Sequence, residues 1–226
     1  MKLILIALSL FLLSTLAVGW LPTKLLAKNE ARAALTTLYA LKRARIQALI
    51  DTSYLGHADF VRAYNFRRID GERLLRVYAP FYWQLQFHIT GIYTKNSLSI
   101  YRDTPRFATT TDFDRRPLAG DILALSLANS QCLSGYNNTN LDRVCRDNAL
   151  FDFRLKEASG LEVLRLIKPA FCQEKDTFRF YFRDDSSVFC GILPRELDTD
   201  AIVQVGRFYL RLSPKTGYAF IESKLP

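Results

Sequence analysis

Two histidines, two Asp-x-Asp pairs and four cysteines are the side chains here best suited to moving protons, holding cations or forming covalent links. Asp112-Phe113-Asp114 and Asp198-Thr199-Asp200 each put two carboxylates on one side of an extended segment. Hard cations such as Mg²⁺ or Mn²⁺ take oxygens in that arrangement. A nucleotide-sugar transferase uses such a pair, but it also needs a nucleotide-binding α/β sheet, and this chain is short and patterned for antiparallel strands. Loop aspartates are the simpler reading of both pairs. An uncharacterised metal-dependent enzyme would rest on Asp112 and Asp114.

His57 precedes Asp59, and His88 falls on the polar side of an alternating stretch, so both read as surface or structural histidines. No G-x-S-x-G elbow accompanies them. The ten glycines are scattered rather than gathered into a phosphate loop. No catalytic residue, metal ligand or cofactor is expected.

Cys132, Cys145, Cys172 and Cys190 are even in number, and no two form C-x-x-C. That spacing argues against zinc and against a thioredoxin-type redox site. Two disulfides formed in an oxidising compartment are expected instead, with buried free thiols as the alternative. The pairing that closes the shortest loops is Cys132–Cys145 and Cys172–Cys190. Each bridge would stabilise by about 3 kcal/mol through the unfolded chain.

The element that positions everything else is an uncharged run from Leu3 to Leu21, closed by Pro22. As a helix it rises about 28 Å, close to the hydrocarbon thickness of a bilayer. The expectation is a single-pass membrane anchor, with Trp20 at headgroup level. A secretory signal cleaved near Ala17 is the alternative. An amphipathic helix follows over Asn29 to Ile50, with Ala31, Leu35, Leu38, Tyr39, Ile46, Leu49 and Ile50 on one face and Lys42 intruding. Leu35, Leu38, Tyr39, Ile46 and Leu49 are the expected interface residues, the alternative being that they cover the chain's own sheet.

Later stretches read as strands. Phe81 to Thr90 alternates with period two, Leu98 to Arg102 reads as its return, and Ile122 to Leu127 as a strand. Phe151 to Lys156 and Leu161 to Ile167 follow. Hairpins are expected around Asp184-Asp185-Ser186-Ser187, flanked by Thr177 to Arg183 and Val188 to Leu193, and around Ser213-Pro214-Lys215-Thr216-Gly217, flanked by Val203 to Leu212 and Tyr218 to Glu222. The fold class expected is α+β: a transmembrane helix continuing into an amphipathic helix, then a mainly antiparallel ectodomain with disulfides. Residues 1–22 would be anchor or signal, 23–70 a helical stalk and 71–226 the β-rich ectodomain.

Net charge is +9, with Lys24, Lys28, Arg32, Lys42, Arg43 and Arg45 just beyond the apolar run. Headgroup contact or a solvated helix face accounts for them. The basic residues are spread along the chain and no nucleic-acid motif appears, so nucleic acid is not an expected partner. The Asn137-Asn138-Thr139 sequon matters only in a eukaryotic secretory pathway.

The order of Leu3 to Leu21, Pro22, Asn29 to Ile50 and the late hairpins resembles type IV pilins and the pseudopilins of type II secretion and competence systems. Gly120-Asp121-Ile122-Leu123-Ala124-Leu125 followed by Cys132 also resembles the larger minor pilins. The family's short basic leader, and the glutamate five residues into its mature helix, have no counterpart in these residues. The resemblance implies a non-enzymatic, membrane-anchored subunit of a cell-envelope assembly. Its partners would be the bilayer and other subunits of a pilus, secretion or conjugation machine, with the body in the periplasm or outside the cell. A secreted or periplasmic ligand-binding domain, with Tyr82 and Tyr93 lining a cleft, is the competing expectation.

Overall fold

Short strands rich in aromatic and β-branched side chains, separated by turn residues, pair with their neighbours and leave one face of each sheet to be buried. A computed structural model describes residues 28–51, 79–89, 96–105, 113–135, 145, 151, 153 and 164–222. In these residues the helix α1 spans 28–50. The strands are β1 (Trp83–His88), β2 (Ser97–Arg102), β3 (Ile122–Leu123), β4 (Leu164–Lys168), β5 (Thr177–Phe182), β6 (Val188–Cys190), β7 (Arg195–Glu196), β8 (Ala201–Val205), β9 (Phe208–Leu212) and β10 (Ala219–Glu222).

They form two antiparallel sheets. One has six strands in the order β3-β2-β1-β5-β6-β7, the other four in the order β10-β9-β8-β4. β1 is central in the larger sheet, with Leu85 opposite Ile100 on β2 and Phe180 on β5. The inner faces of both sheets and one face of α1 share one core, in which Phe87 stacks on Phe178 at 4.3 Å between ring centroids. The disulfides join Cys132 to Cys145 and Cys172 to Cys190. The second ties the 3₁₀ turn after β4 (Ala170–Cys172) to β6, and so links the two sheets covalently.

Several expectations change. The anticipated transmembrane helix running into an amphipathic one is corrected: no helix of the described residues is long and apolar enough to cross a membrane. Lys28, Glu30, Arg32, Lys42, Arg43 and Arg45 interrupt α1 too often for that, and single-pass membrane placement of the body has no support in it. Leu3 to Leu21 lies outside the described residues. Sheets dominate the fold, and the disulfides point to an oxidising compartment.

Val203 to Leu212, expected as one strand, is two. Gly206 takes a φ of +58° and turns the chain so that Val205 pairs with Phe208. Ile122 to Leu127 shortens to β3 plus an isolated bridge from Leu125 to Cys132. Phe151 and Phe153 are buried without belonging to a strand, and the rest of that stretch lies outside the described residues.

Candidate functional site

The alternation in β1 puts Gln84, Gln86 and His88 on the polar side, opposite the apolar core. All three are buried, as are Ser97, Ser99 and Tyr101 of β2 and Arg179 and Tyr181 of β5, so of the two readings of His88, surface or structural, the structural one fits. Residues 113–121 account for part of that cover. Phe113 meets Phe81 edge-on at 4.9 Å, and the Arg115 guanidinium donates to the Ile192 carbonyl at 2.7 Å. Arg115 sits at a φ of +60°, and its own carbonyl accepts from Arg179 (3.0 Å) and Gln86 (3.4 Å).

Buried polar groups need partners, and this layer supplies most of them. Arg179 forks onto Glu174 with Nε–Oε1 at 2.7 Å and Nη2–Oε2 at 2.8 Å, both side chains nearly fully buried. Burial opposes the Arg179 charge. The bidentate Glu174 carboxylate favours it, as Tyr181 and Tyr101 do once ionised, and the guanidinium stays protonated. The Tyr101 hydroxyl donates to Gln86 Oε1 at 2.8 Å, and His88 Nε2 lies 3.3 Å from Ser99 Oγ, which is 2.8 Å from Ser134 Oγ. Among the described residues, the buried Tyr181 Oη has no hydrogen-bond partner. Burial pushes Tyr181 up to about 12, and Tyr101 well above the ordinary tyrosine value. Groups titrating so far from neutrality are poor general acids or bases. The layer reads as a bonded packing layer rather than a reaction centre.

Asp114 gathers with other carboxylates, while Asp112 lies outside the described residues. Asp103, Asp114 and Asp121 bring carboxylate oxygens within 4.8 Å of one another. Hard oxygens at that spacing suit a divalent cation. Here they brace the loop. Asp103 Oδ2 accepts from Arg115 N (2.7 Å) and Asp114 Oδ1 from Arg116 N (2.9 Å), while Asp121 accepts from the Thr104 and Leu118 amides (2.9 and 2.8 Å). The second pair splits: Asp200 binds Arg211 at 2.8 Å, and Asp198 lies 4.0 Å from Arg195. Tyr82 is buried rather than lining a cleft. His57, Tyr93 and the sequon lie outside the described residues.

The arrangement with the clearest functional content is α1. Its buried face is made of small residues: Ala33, Ala34, Thr37, Ala40, Ala44 and Ala48, with Leu41 as the one large member. Its other large apolar residues, Leu38 excepted, point outward. Leu35 is 60% and Ile50 68% exposed, while Ala40, Ala44 and Ala48 are 0%. Tyr39, Ile46 and Leu49 are exposed too; of the five expected interface residues only Leu38 packs on the core. The stripe therefore does not cover the chain's own sheets. The aromatic inner faces already fill the core, and small helix residues let the backbone approach them closely.

Contacts at both ends hold α1 in this orientation. Glu30 pairs with Arg207 at 2.6 Å, and a Cβ on Gly206 would lie 2.6 Å from Glu30 Cγ. Arg45 Nε donates to the Thr216 carbonyl at 2.6 Å. Beyond the last turn, the Asp51 carboxylate accepts from Trp83 Nε1 (2.9 Å) and Arg102 Nη1 (3.1 Å). Beside the exposed stripe a groove is lined by Ala31, Leu35, Tyr39 and the Phe151 ring, with Lys28 and Arg32 also lining it. Lys42 Nζ lies 5.5 Å from the centre of the half-exposed Tyr218 ring. Sequence reasoning found the stripe but not the alanine face, whose signal was the spacing Ala33, Thr37, Ala40, Ala44, Ala48.

No family model, no curated protein and no solved structure matches this chain.

Proposed function

We propose that this chain is a non-catalytic subunit of a multi-protein assembly in an oxidising compartment, and that the outward face of α1 is its contact surface. The observation that carries this reading is the inverted helix. Exposing Leu35, Tyr39, Ile46, Leu49 and Ile50 while burying alanines leaves an apolar face, interrupted by Lys42, open to solvent. Such faces mark interaction sites on folded proteins. Neighbouring exposed residues widen it: Tyr218 beside Lys42, and Leu125, whose carbonyl accepts from Arg43 at 3.4 Å.

The work done is physical. The ion pairs Glu30–Arg207 and Asp51–Arg102 fasten the two ends of α1 to the sheets, so little ordering entropy is lost when a partner docks on it. The test is Leu35→Glu combined with Ile46→Glu, examined by native size distribution from the producing cell. The expected result is loss of the high-mass form, with thermal unfolding of the purified protein unchanged. An unaltered high-mass form, or a wild-type protein that never leaves the monomer position, overturns the reading.

A further inference from the structure

The outward face has a period as well as a polarity. Leu35, Tyr39, Lys42, Ile46 and Leu49 recur at alternating steps of four and three, the seam spacing of one helix packed along another. The seam runs about 21 Å at 1.5 Å per residue, enough for two heptads.

Its charge is one-sided. Glu30 is the only acidic residue among 28–50, and Arg207 takes it. Lys28, Arg32 and Lys42 are exposed along the seam, and no carboxylate among the described residues pairs with them. Lys28 and Arg32 line the apolar groove, and Lys42 lies within the seam itself.

We infer that this seam receives a single helix of a different protein, with an apolar stripe flanked by carboxylates. The inference rests on the assembly reading above and names the chemistry of the partner. A second copy of this chain is disfavoured, because it sets basic seam against basic seam. The chain's own flanking stretches fit no better. Residues 1–27 contain no acid, and residues 52–78 carry more arginine than carboxylate. An anionic lipid surface prefers a helix with an unbroken apolar face, and here Lys42 sits within the apolar seam. In a helix pair, carboxylates on the partner meet Lys28, Arg32 and Lys42 and set register, while Leu35, Tyr39, Ile46 and Leu49 bury the apolar stripe.

The experiment uses the full chain and two three-heptad peptides with leucine at both seam positions. One peptide carries glutamate at every flanking position, the other lysine. Binding is followed by fluorescence anisotropy. The glutamate peptide is expected to bind at least about tenfold more tightly than the lysine peptide, and to weaken as salt rises. Arg32→Glu with Lys42→Glu is expected to reverse the preference while circular dichroism stays unchanged. Equal binding of the two peptides overturns the inference. So does binding only to phosphatidylglycerol vesicles, or seam-dependent dimerisation in sedimentation. If the Leu35→Glu, Ile46→Glu variant loses the native assembly and no glutamate peptide binds, the assembly reading stands and the acidic partner falls.

Discussion

Tyr101 and Tyr181 share one buried layer, and among the described residues Tyr101 has a partner for its hydroxyl and Tyr181 has none. Removing a satisfied buried hydroxyl leaves the partner orphaned, whereas removing an unsatisfied one relieves a desolvation cost. Tyr101→Phe is therefore expected to destabilise by about 1 to 3 kcal/mol, and Tyr181→Phe to be neutral or to stabilise by up to about 1 kcal/mol, read by urea unfolding. The same pair sets an alkaline limit. The folded chain holds Tyr181 protonated to about 12, above the ordinary value of 10.0, and Tyr101 shifts the same way. The unfolded state releases these protons first. The stabilisation is thus complete below pH 10 and lost as pH rises towards 12. The urea midpoint should fall across that window, with the phenolate absorbance of these residues appearing only on unfolding. Asp51 makes the third residue-scale case. Asp51→Ala strips the carboxylate from the buried Arg102 and the Trp83 indole, and should cost about 3 kcal/mol. A melting temperature equal to wild type would refute that account.

At the scale of the element, α1 is fixed by what is small on it. Ala44 is fully buried, and replacing it with leucine inserts methylenes where the sheets leave no room. Ala44→Leu is expected to destabilise by about 2 kcal/mol. Ile46→Ala removes a larger side chain from the opposite face and should change stability by less than about 0.5 kcal/mol. Chemical denaturation of the two variants side by side checks the orientation of the helix. The opposite ranking would mean that the large residues are the ones that pack. β1 teaches the same lesson from a strand. Its alternation gave the correct inner face, Trp83, Leu85 and Phe87. It does not show that the polar side is covered too, in part by residues 113–121, where the Arg115 carbonyl accepts from Gln86. Strand pattern reports which side chains alternate, not what lies above each face.

For the molecule as a whole, the two disulfides do different work. Cys132–Cys145 closes a sequence separation of 13 at the β2–β3 side, while Cys172–Cys190 spans 18 and joins the two sheets inside the core. Loop entropy alone makes each worth about 3 kcal/mol. Paired serine substitution at 172 and 190 also places two hydroxyls among apolar side chains, so it should cost more than the pair at 132 and 145. Thermal unfolding of the two double variants gives the order, and equal losses would mean that the sheet-to-sheet link adds nothing beyond loop closure.

Local chemistry settled much of this protein in advance. The disulfide pairing followed from loop length, the hairpins around Asp184-Asp185 and Pro214 from turn residues, and the apolar stripe on residues 28–50 from helical period. Those features depend on neighbours in sequence. Which face of α1 meets the sheets, whether the polar side of β1 sees water, and that Asp103, Asp114 and Asp121 converge depended on elements far apart in the chain. Volume and burial are properties of the packed whole: the aromatic residues of two sheets filled the core, so the helix contributes mainly alanines with Leu41 and Leu38, and Leu35, Tyr39, Ile46, Leu49 and Ile50 are left turned outward.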